Sequence, residues 1–312
     1  MIEIYKTNES RNLEKVNEIT KGCWVNMVAP SEAEIQQICL ELQLPLDFFK
    51  DPLDDEERPR IEKEDKDILI IVDYPYITHD ESGFPIYETI PIGMIFTKDC
   101  FITISLKDTP VLSNFKNNKI KTFYTHKKTR FALQILFEIS LYYLRYLKQI
   151  NKKTNDAERE LHQSMKNKEL YTFLALEKSL VYFTTSLKSN KVVLDKILRF
   201  NYLTMYEEDK ELLEDVIIEN TQAIEMAEVY TSILSGMMDA FASIISNNVN
   251  IAMKFLTSIT IILTLPTMVA SFYGMNVGLP FAHSPYSFIF TLLLSVGLAG
   301  GTAFIFWKKK YF

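Results

Sequence analysis

At 312 residues the chain is long enough for one medium soluble domain plus a further segment, and its 47% hydrophobic content is unexceptional until its distribution is followed. All 40 acidic residues lie at or before Asp239, so residues 1–239 set 30 basic against 40 acidic side chains, net −10, whereas residues 240–312 carry only Lys254, Lys308, Lys309 and Lys310, net +4. A net-acidic soluble part excludes nucleic acid as a partner, because phosphate binding needs a basic surface, and it suits cations.

The N-terminus, Met1-Ile-Glu-Ile-Tyr-Lys, has no basic region followed by an apolar run, so no secretory signal is expected and the soluble part is expected inside the cell. Cys23, Cys39 and Cys100 have no paired spacing and no neighbouring histidine, which makes them reduced core residues rather than a zinc site or a disulfide framework. Residues 1–110 hold eight of the eleven prolines. Pro30-Ser31-Glu32-Ala33-Glu34 has the Ser and Glu three apart that cap a helix, with Ile35, Ile38, Cys39 and Leu42 following on one face. Asp67 to Tyr74, Ile86 to Thr97 and Cys100 to Leu106 are short apolar or β-branched runs that read as strands of one sheet, the last two joined by a tight turn at Lys98-Asp99. The expectation is an α/β domain over residues 1–125 with local order strand, helix, strands.

From Val111 to Ser235 there is no glycine or proline in 125 consecutive residues, which predicts long helices. A core-facing stripe is read at spacings of three and four in Leu133, Leu136, Phe137, Ser140, Leu141 and Leu144, and again in Leu176, Leu180, Phe183 and Leu187, with Val192 taken to continue it. The polar run Asn151 to Asp156 and the acidic Glu207-Glu208-Asp209 are expected to mark bends. A last helix starting near Tyr206 and running to Tyr273 would be on the order of 100 Å long, a stalk. Residues 126–254 are thus read as helical bundle and stalk, and 255–312 as a transmembrane domain.

Two stretches lack any charge over spanning length, Phe255 to Tyr273 and Phe288 to Trp307. Lys254 precedes the first and Lys308-Lys309-Lys310 follows the second, so the basic flanks lie on one side of the lipid bilayer. Both termini are expected in the cytoplasm and the linker Gly274 to Ser287 outside, making a multi-pass protein of the cell membrane.

Within the first span Thr257, Thr260, Thr264, Thr267 and Ser271 follow a strict three-four spacing and share one face. The stripe extends back through Met253, Asn250, Ser246 and Ser243 to Asp239, and its 3.5-residue repeat implies left-handed supercoiling with neighbouring helices. Small polar residues also mediate helix packing in lipid, and either reading keeps this face off lipid. A protomer with two spans and one polar seam cannot enclose a water-filled path alone, so conduction demands an oligomer. The second span, with Gly297, Gly300 and Gly301, is expected to pack outside the first through a close-approach face, and Pro266 to bend the pore helix.

The first span ends in Tyr273-Gly274-Met275-Asn276, and here the chain resembles the CorA family of magnesium/cobalt transporters, whose signature is this Gly-Met-Asn. Trp24-Val25-Asn26, the segment from Leu44-Pro45-Leu46 to Arg58-Pro59-Arg60-Ile61-Glu62, and Ser235-Gly236-Met237-Met238-Asp239 leading to Asn247–Asn250 extend the resemblance over the whole chain. It implies a funnel-shaped homopentamer of α/β cytoplasmic domains, long helical stalks and two transmembrane helices per copy, with the first span lining the pore. Gly274, Met275 and Asn276 would form the selectivity filter, the Asn276 amides hydrogen-bonding the water shell of Mg²⁺, an ion that dehydrates reluctantly. Gly274 is expected to allow a sharp turn after the helix. By position, Asn250, Met253, Leu256, Thr264 and Thr267 would line the pore, with Met253 and Leu256 as a constriction able to close by dewetting.

The resemblance also implies that cytosolic Mg²⁺ bridges Asp51 and Asp239 of adjacent copies and holds the channel shut. Lys50 stands where some relatives carry an acidic residue, which speaks against a second ion, and Asp54-Asp55-Glu56-Glu57 reads as a solvated acidic loop. Leu279-Pro280-Phe281 lacks the carboxylate of many relatives, leaving attraction of cations at the mouth to the amide ring. His79, His126, His162 and His283 are isolated and are assigned to no metal. The rivals are a relative specialised for Zn²⁺ or another transition ion, and a membrane-tethered coiled-coil scaffold without transport. No phosphate loop or nucleophile elbow supports an enzyme, and no organic cofactor is expected.

Overall fold

A computed structural model describes residues 1–8, 12–79, 83–117, 119–120, 123–164, 167–280 and 284–311, the backbone alone at 162–164 and 167–169. The chain divides into two compact units, Met1–Ser235 and Gly236–Phe312.

The first unit is built on a seven-stranded sheet: β1 (Ile2–Thr7), β2 (Leu13–Val16), β3 (Trp24–Val28), β4 (Arg60–Glu64), β5 (Asp67–His79), β6 (Pro85–Phe96) and β7 (Phe101–Ser105), in spatial order β2-β1-β3-β7-β6-β5-β4. Among the described residues only β3 and β7 pair in parallel, Trp24 opposite Phe101. The three strands expected at 67–106 are present, and β6 and β7 join through a turn in which Thr97 N–H donates to Cys100 O at 3.2 Å. Of four further strands, β1, β2 and β4 have their apolar residues interrupted by charge, whereas β3 is an uncharged run of five residues whose place is set by its pairing with β7.

Alternation along the strands separates two cores. Cys23, Val25, Met27, Leu69, Ile71, Ile95, Ile102 and Ile104 pack with Ile35 and Ile38 of α1 (Glu32–Leu42) and with Phe48 and Phe49 of α2 (Asp47–Lys50). The capping box at α1 forms as expected: Glu34 N–H donates to Ser31 Oγ at 3.3 Å, and Ser31 N–H donates to Glu34 Oε2 at 2.8 Å. The opposite face of the sheet meets α4 (Lys128–Ser164) and α5 (Asn167–Phe200), with α3 (Pro110–Lys116) packed on α4. There Trp24 sits edge-on to Phe131 with ring centroids 5.0 Å apart.

Two prolines fall inside paired strands, Pro75 opposite Thr89 and Pro91 opposite Asp73. They are tolerated because β4 pairs with β5 only as far as Ile71 and β7 with β6 only as far as Ile92, so each proline lies where its strand has an open edge. This two-stranded arm is held by α5, with Tyr87 N–H donating to Ser179 Oγ at 3.2 Å and Ser186 Oγ–H to Thr89 Oγ1 at 2.9 Å.

The bend expected at Asn151–Asp156 does not occur: α4 runs through it unbroken. Without glycine or proline the polar residues simply occupy the helix surface, and Thr154 donates its hydroxyl to Ile150 O at 3.0 Å. The apolar stripe of α5 also departs from expectation at its end, since Val192 is exposed and the buried series runs Leu176, Leu180, Phe183, Leu187, Asn190, Leu194, Ile197. Asn190 keeps the three-four rhythm as a polar member by bracketing the Asp73 backbone, accepting from its N–H at 2.9 Å and donating to its carbonyl at 2.8 Å.

The acidic triplet marks a helix start: α6 is a single helix Glu207–Tyr273, and Asp209 Oδ2 accepts from Tyr206 N–H at 3.1 Å. Within the first unit α6 buries Leu213, Val216, Asn220, Ala223, Ala227 and Leu234, and Asn220 donates to Leu187 O at 3.1 Å. The second unit holds the remainder of α6 and α7 (Ser287–Lys308), two helices long and apolar enough to cross a membrane.

Candidate functional site

Residues 242–257 of α6 are exposed on every side, a run that includes Asn250, Met253 at 56%, Lys254, Leu256 at 60% and Thr257. Past this point α6 acquires a covered face, Ser258, Ile259, Ile262, Leu265, Pro266, Val269 and Tyr273, while α7 covers Ser287, Thr291, Ser295, Ala299, Thr302 and Phe306 at the same three-four rhythm. The helices are held together at one end by the Tyr273 and Phe290 rings, whose centroids lie 6.4 Å apart. The close-approach face of α7 is therefore made of hydroxyl residues and alanine, not of glycine. Gly297, Gly300 and Gly301 are exposed, and a Cβ at any of them would meet nothing within 4 Å.

The stripe Thr257, Thr260, Thr264, Thr267 and Ser271 is exposed along its whole length, off the covered face. Thr260 Oγ1–H donates to Leu256 O at 2.9 Å, Thr264 Oγ1–H to Thr260 O at 2.7 Å and Thr267 Oγ1–H to Leu263 O at 3.0 Å. Each hydroxyl has thus committed its proton to its own helix, and what it offers outward is an oxygen lone pair. A column of acceptors suits a hydrated cation, whose bound waters point hydrogens outward. Towards the helix end the stripe borders a groove of about 290 Å³ lined by Thr264, Thr267, Met268, Ser271, Phe272 and Met275. The helix passes through Pro266 without ending.

After Tyr273 the chain leaves the helix through Gly274, whose N–H donates to Ala270 O at 3.0 Å, and Met275, whose N–H donates to Phe272 O at 3.1 Å. Gly274 does not occupy the left-handed region. Its lack of a side chain matters through space, because a Cβ would stand 3.3 Å from Ala270 O. Met275 and Asn276 follow in an exposed bend, and Tyr273 Oη–H closes the linker by donating to Pro280 O at 3.4 Å. Phe281 and His283 lie outside the described residues, as does the side chain of His162.

In the first unit Asp51 opens the 3-10 turn Asp51–Leu53, just after exposed Lys50. Its Oδ2 accepts from Arg60 Nη2 at 2.5 Å, and Arg60 also pairs with Glu57 and Glu62. Burial raises the Asp51 pKa above the ordinary carboxylate value, with the Arg60 contact pulling the other way. Asp54, Asp55 and Glu56 are exposed, as a solvated loop should be, and Asp239 is exposed on α6. Among the described residues no group of three or more His, Cys, Asp or Glu side chains is arranged to hold a metal. Arg60 was not singled out by sequence reasoning, nor was Gly93, a mid-strand glycine of the kind that marks a close backbone approach. Pro52 fills the space there: a Cβ on Gly93 would lie 2.4 Å from Pro52 Cγ.

A curated relative from Methanocaldococcus jannaschii, the cobalt/magnesium transport protein CorA, is 28% identical over 294 residues, covering 92% of this chain and 90% of its own. The Thermotoga maritima protein of the same name is 23% identical, covering 98% and 88%. The complete structure of the CorA magnesium transporter from Methanocaldococcus jannaschii superposes with a TM-score of 0.85 at 26% identity, over 98% of this chain and 97% of that one. The family model described as CorA-like Mg²⁺ transporter protein matches residues 20–310, and the chain belongs to that family.

Proposed function

We propose that the protein is a divalent-cation channel that carries Mg²⁺, and Co²⁺ with it, into the cell down the electrochemical gradient. The observation that carries this reading is the exposed acceptor stripe Thr257–Ser271, which runs up to Gly274-Met275-Asn276 in a member of this family. An apolar helix that leaves its one hydroxyl face uncovered by α7 requires either water or further copies of itself there. A homopentamer, α6 around the axis and α7 outside, satisfies both. Both termini then face the cytoplasm.

In that assembly Asn276 side chains form an amide collar at the outer mouth and contact the ion through its water shell. Thr267, Thr264 and Thr260 continue with outward lone pairs, Thr257 follows on the same face, and Leu256 and Met253 form the apolar constriction above Asn250. The membrane potential supplies roughly 4.6 kcal/mol for a divalent ion per 100 mV, so no nucleotide hydrolysis is needed. Cytosolic Mg²⁺ closes the channel by bridging Asp51 of one copy to Asp239 of the next, since two facing carboxylates repel unless a cation lies between them.

The test is flux of Mg²⁺, Co²⁺, Ni²⁺ and Zn²⁺ into proteoliposomes holding the purified protein. Mg²⁺ entry that Asn276→Ala abolishes supports the reading. Exclusive Zn²⁺ flux would overturn the ion assignment, and absence of any flux would leave a scaffold.

A further inference from the structure

Asp51 is held from two directions. Its backbone is fixed in the 3-10 turn, closed by Asp54 N–H donating to Asp51 O at 3.1 Å, and the next residue, Pro52, is seated in the notch at Gly93 of β6. An aspartate side chain has little reach of its own, so a carboxylate on an anchored turn stays where the turn puts it. Its partner is built the other way. Arg60 is the first residue of β4, the edge strand of the sheet, and carries a long side chain that is 31% exposed. Its guanidinium spreads over three carboxylates: Nη2 to Asp51 Oδ2 at 2.5 Å, Nη1 to Glu57, and Nε to Glu62 Oε2 at 3.4 Å.

We propose that Arg60 is a tethered rival of the regulatory divalent cation for Asp51: the ion binds only when the guanidinium swings off, and this contest sets the cytosolic concentration at which the channel closes. The inference rests on the reading of Asp51 as a cation-bridging carboxylate. A divalent ion and a guanidinium cannot share one carboxylate oxygen at contact without mutual repulsion, and of the two protein groups only the arginine is free to move. Its displacement leaves no orphaned charge, because Glu57 and Glu62 remain to hold it. With Arg60 removed, the Asp51 carboxylate loses its counter-ion, and a divalent ion is drawn to it at lower concentration.

The experiment is the inhibition of current in excised patches of the full-length channel as Mg²⁺ is raised on the cytosolic face, each variant normalised to its own current without Mg²⁺. Asp51→Asn is expected to raise the half-inhibiting concentration. Arg60→Gln is expected to lower it by about two- to fivefold, the range of a partly exposed charge pair. Arg60→Lys, which keeps the charge but loses the forked contact, shifts it the same way by less and decides the matter should Arg60→Gln not assemble. If Asp51→Asn leaves the concentration unchanged, Asp51 is not the sensor and the contest falls with it. If Asp51→Asn acts while both Arg60 variants leave the concentration unchanged or raise it, Asp51 stands and the rivalry is wrong.

Discussion

The chain has two tryptophans, and they live in opposite surroundings. Trp24 is fully buried, with Tyr5 and Phe131 rings at 5.2 and 5.0 Å and its Nε1–H donating to Thr103 Oγ1 at 2.8 Å. Trp307 is 67% exposed at the end of α7, beside Phe304. The first unit buries a core on both faces of one sheet, although α5 and α6 still expose apolar residues such as Val181, Val192 and Ile218. In the second, α7 has no buried residue at all. Apolar surface on that scale belongs against lipid or against other copies of the chain, and the hydroxyl stripe tells which face goes where.

The contrast predicts different consequences for substitutions in the two units. The largest effect is expected from Asn276→Ala, which removes an exposed side chain of no packing value yet should lower Mg²⁺ flux in proteoliposomes by about tenfold or more, with the melting temperature unchanged. Trp24→Ala should do the reverse, costing about 3–5 kcal/mol of stability read by thermal unfolding in detergent, with assembly lost before conduction is altered. A flux effect of Trp24→Ala without loss of stability would break the comparison.

Asp73 gives a pH-dependent case within the self-sufficient unit. Burial raises its pKa to about 6, while a hydrogen bond from Ser186 works in the opposite direction. A folded-state pKa above the unfolded value means that the stabilising proton is fully in place below about pH 4 and is lost as pH rises through about 6. Asp73→Asn should therefore stabilise the protein at pH 8 by about 1–3 kcal/mol and make little difference at pH 4, as melting curves at the two pH values would reveal. A loss of stability of similar size is expected from Gly93→Ala. The new methyl must push Pro52 aside at a cost of about 1–3 kcal/mol, and a displaced Asp51 should also alter the Mg²⁺ concentration that closes the channel.

How far the sequence disclosed these features followed the physics of each signal. The membrane helices and the stripe were legible because absence of charge and three-four spacing are local properties, and the α1 capping box because Ser31 and Glu34 stand three apart. The strand β3 was not, since its value lies in the parallel pairing with β7 some eighty residues away. The polar run at 151–156 misled because polarity alone does not end a helix that lacks glycine and proline. Val192 stands five residues after Leu187, off the three-four spacing, whereas Asn190 keeps that spacing and holds the place through two hydrogen bonds to a distant backbone. Glycine on α7 suggested close approach, but the half-buried residues there are Ser295, Ala299 and Thr302, and the three glycines are exposed. At the proposed gating site Asp51 came only through family likeness, and its hold on Arg60 depended on a turn and a strand whose meeting no spacing rule encodes.

The central claim is that α6 segments gather around an axis, because one chain leaves residues 242–257 bare on all sides. Native mass measurement of the purified protein in a lipid nanodisc tests it directly. Five copies of the 36.3 kDa chain, about 180 kDa, are expected; single chains that persist in the bilayer while still conducting Mg²⁺ would contradict the account.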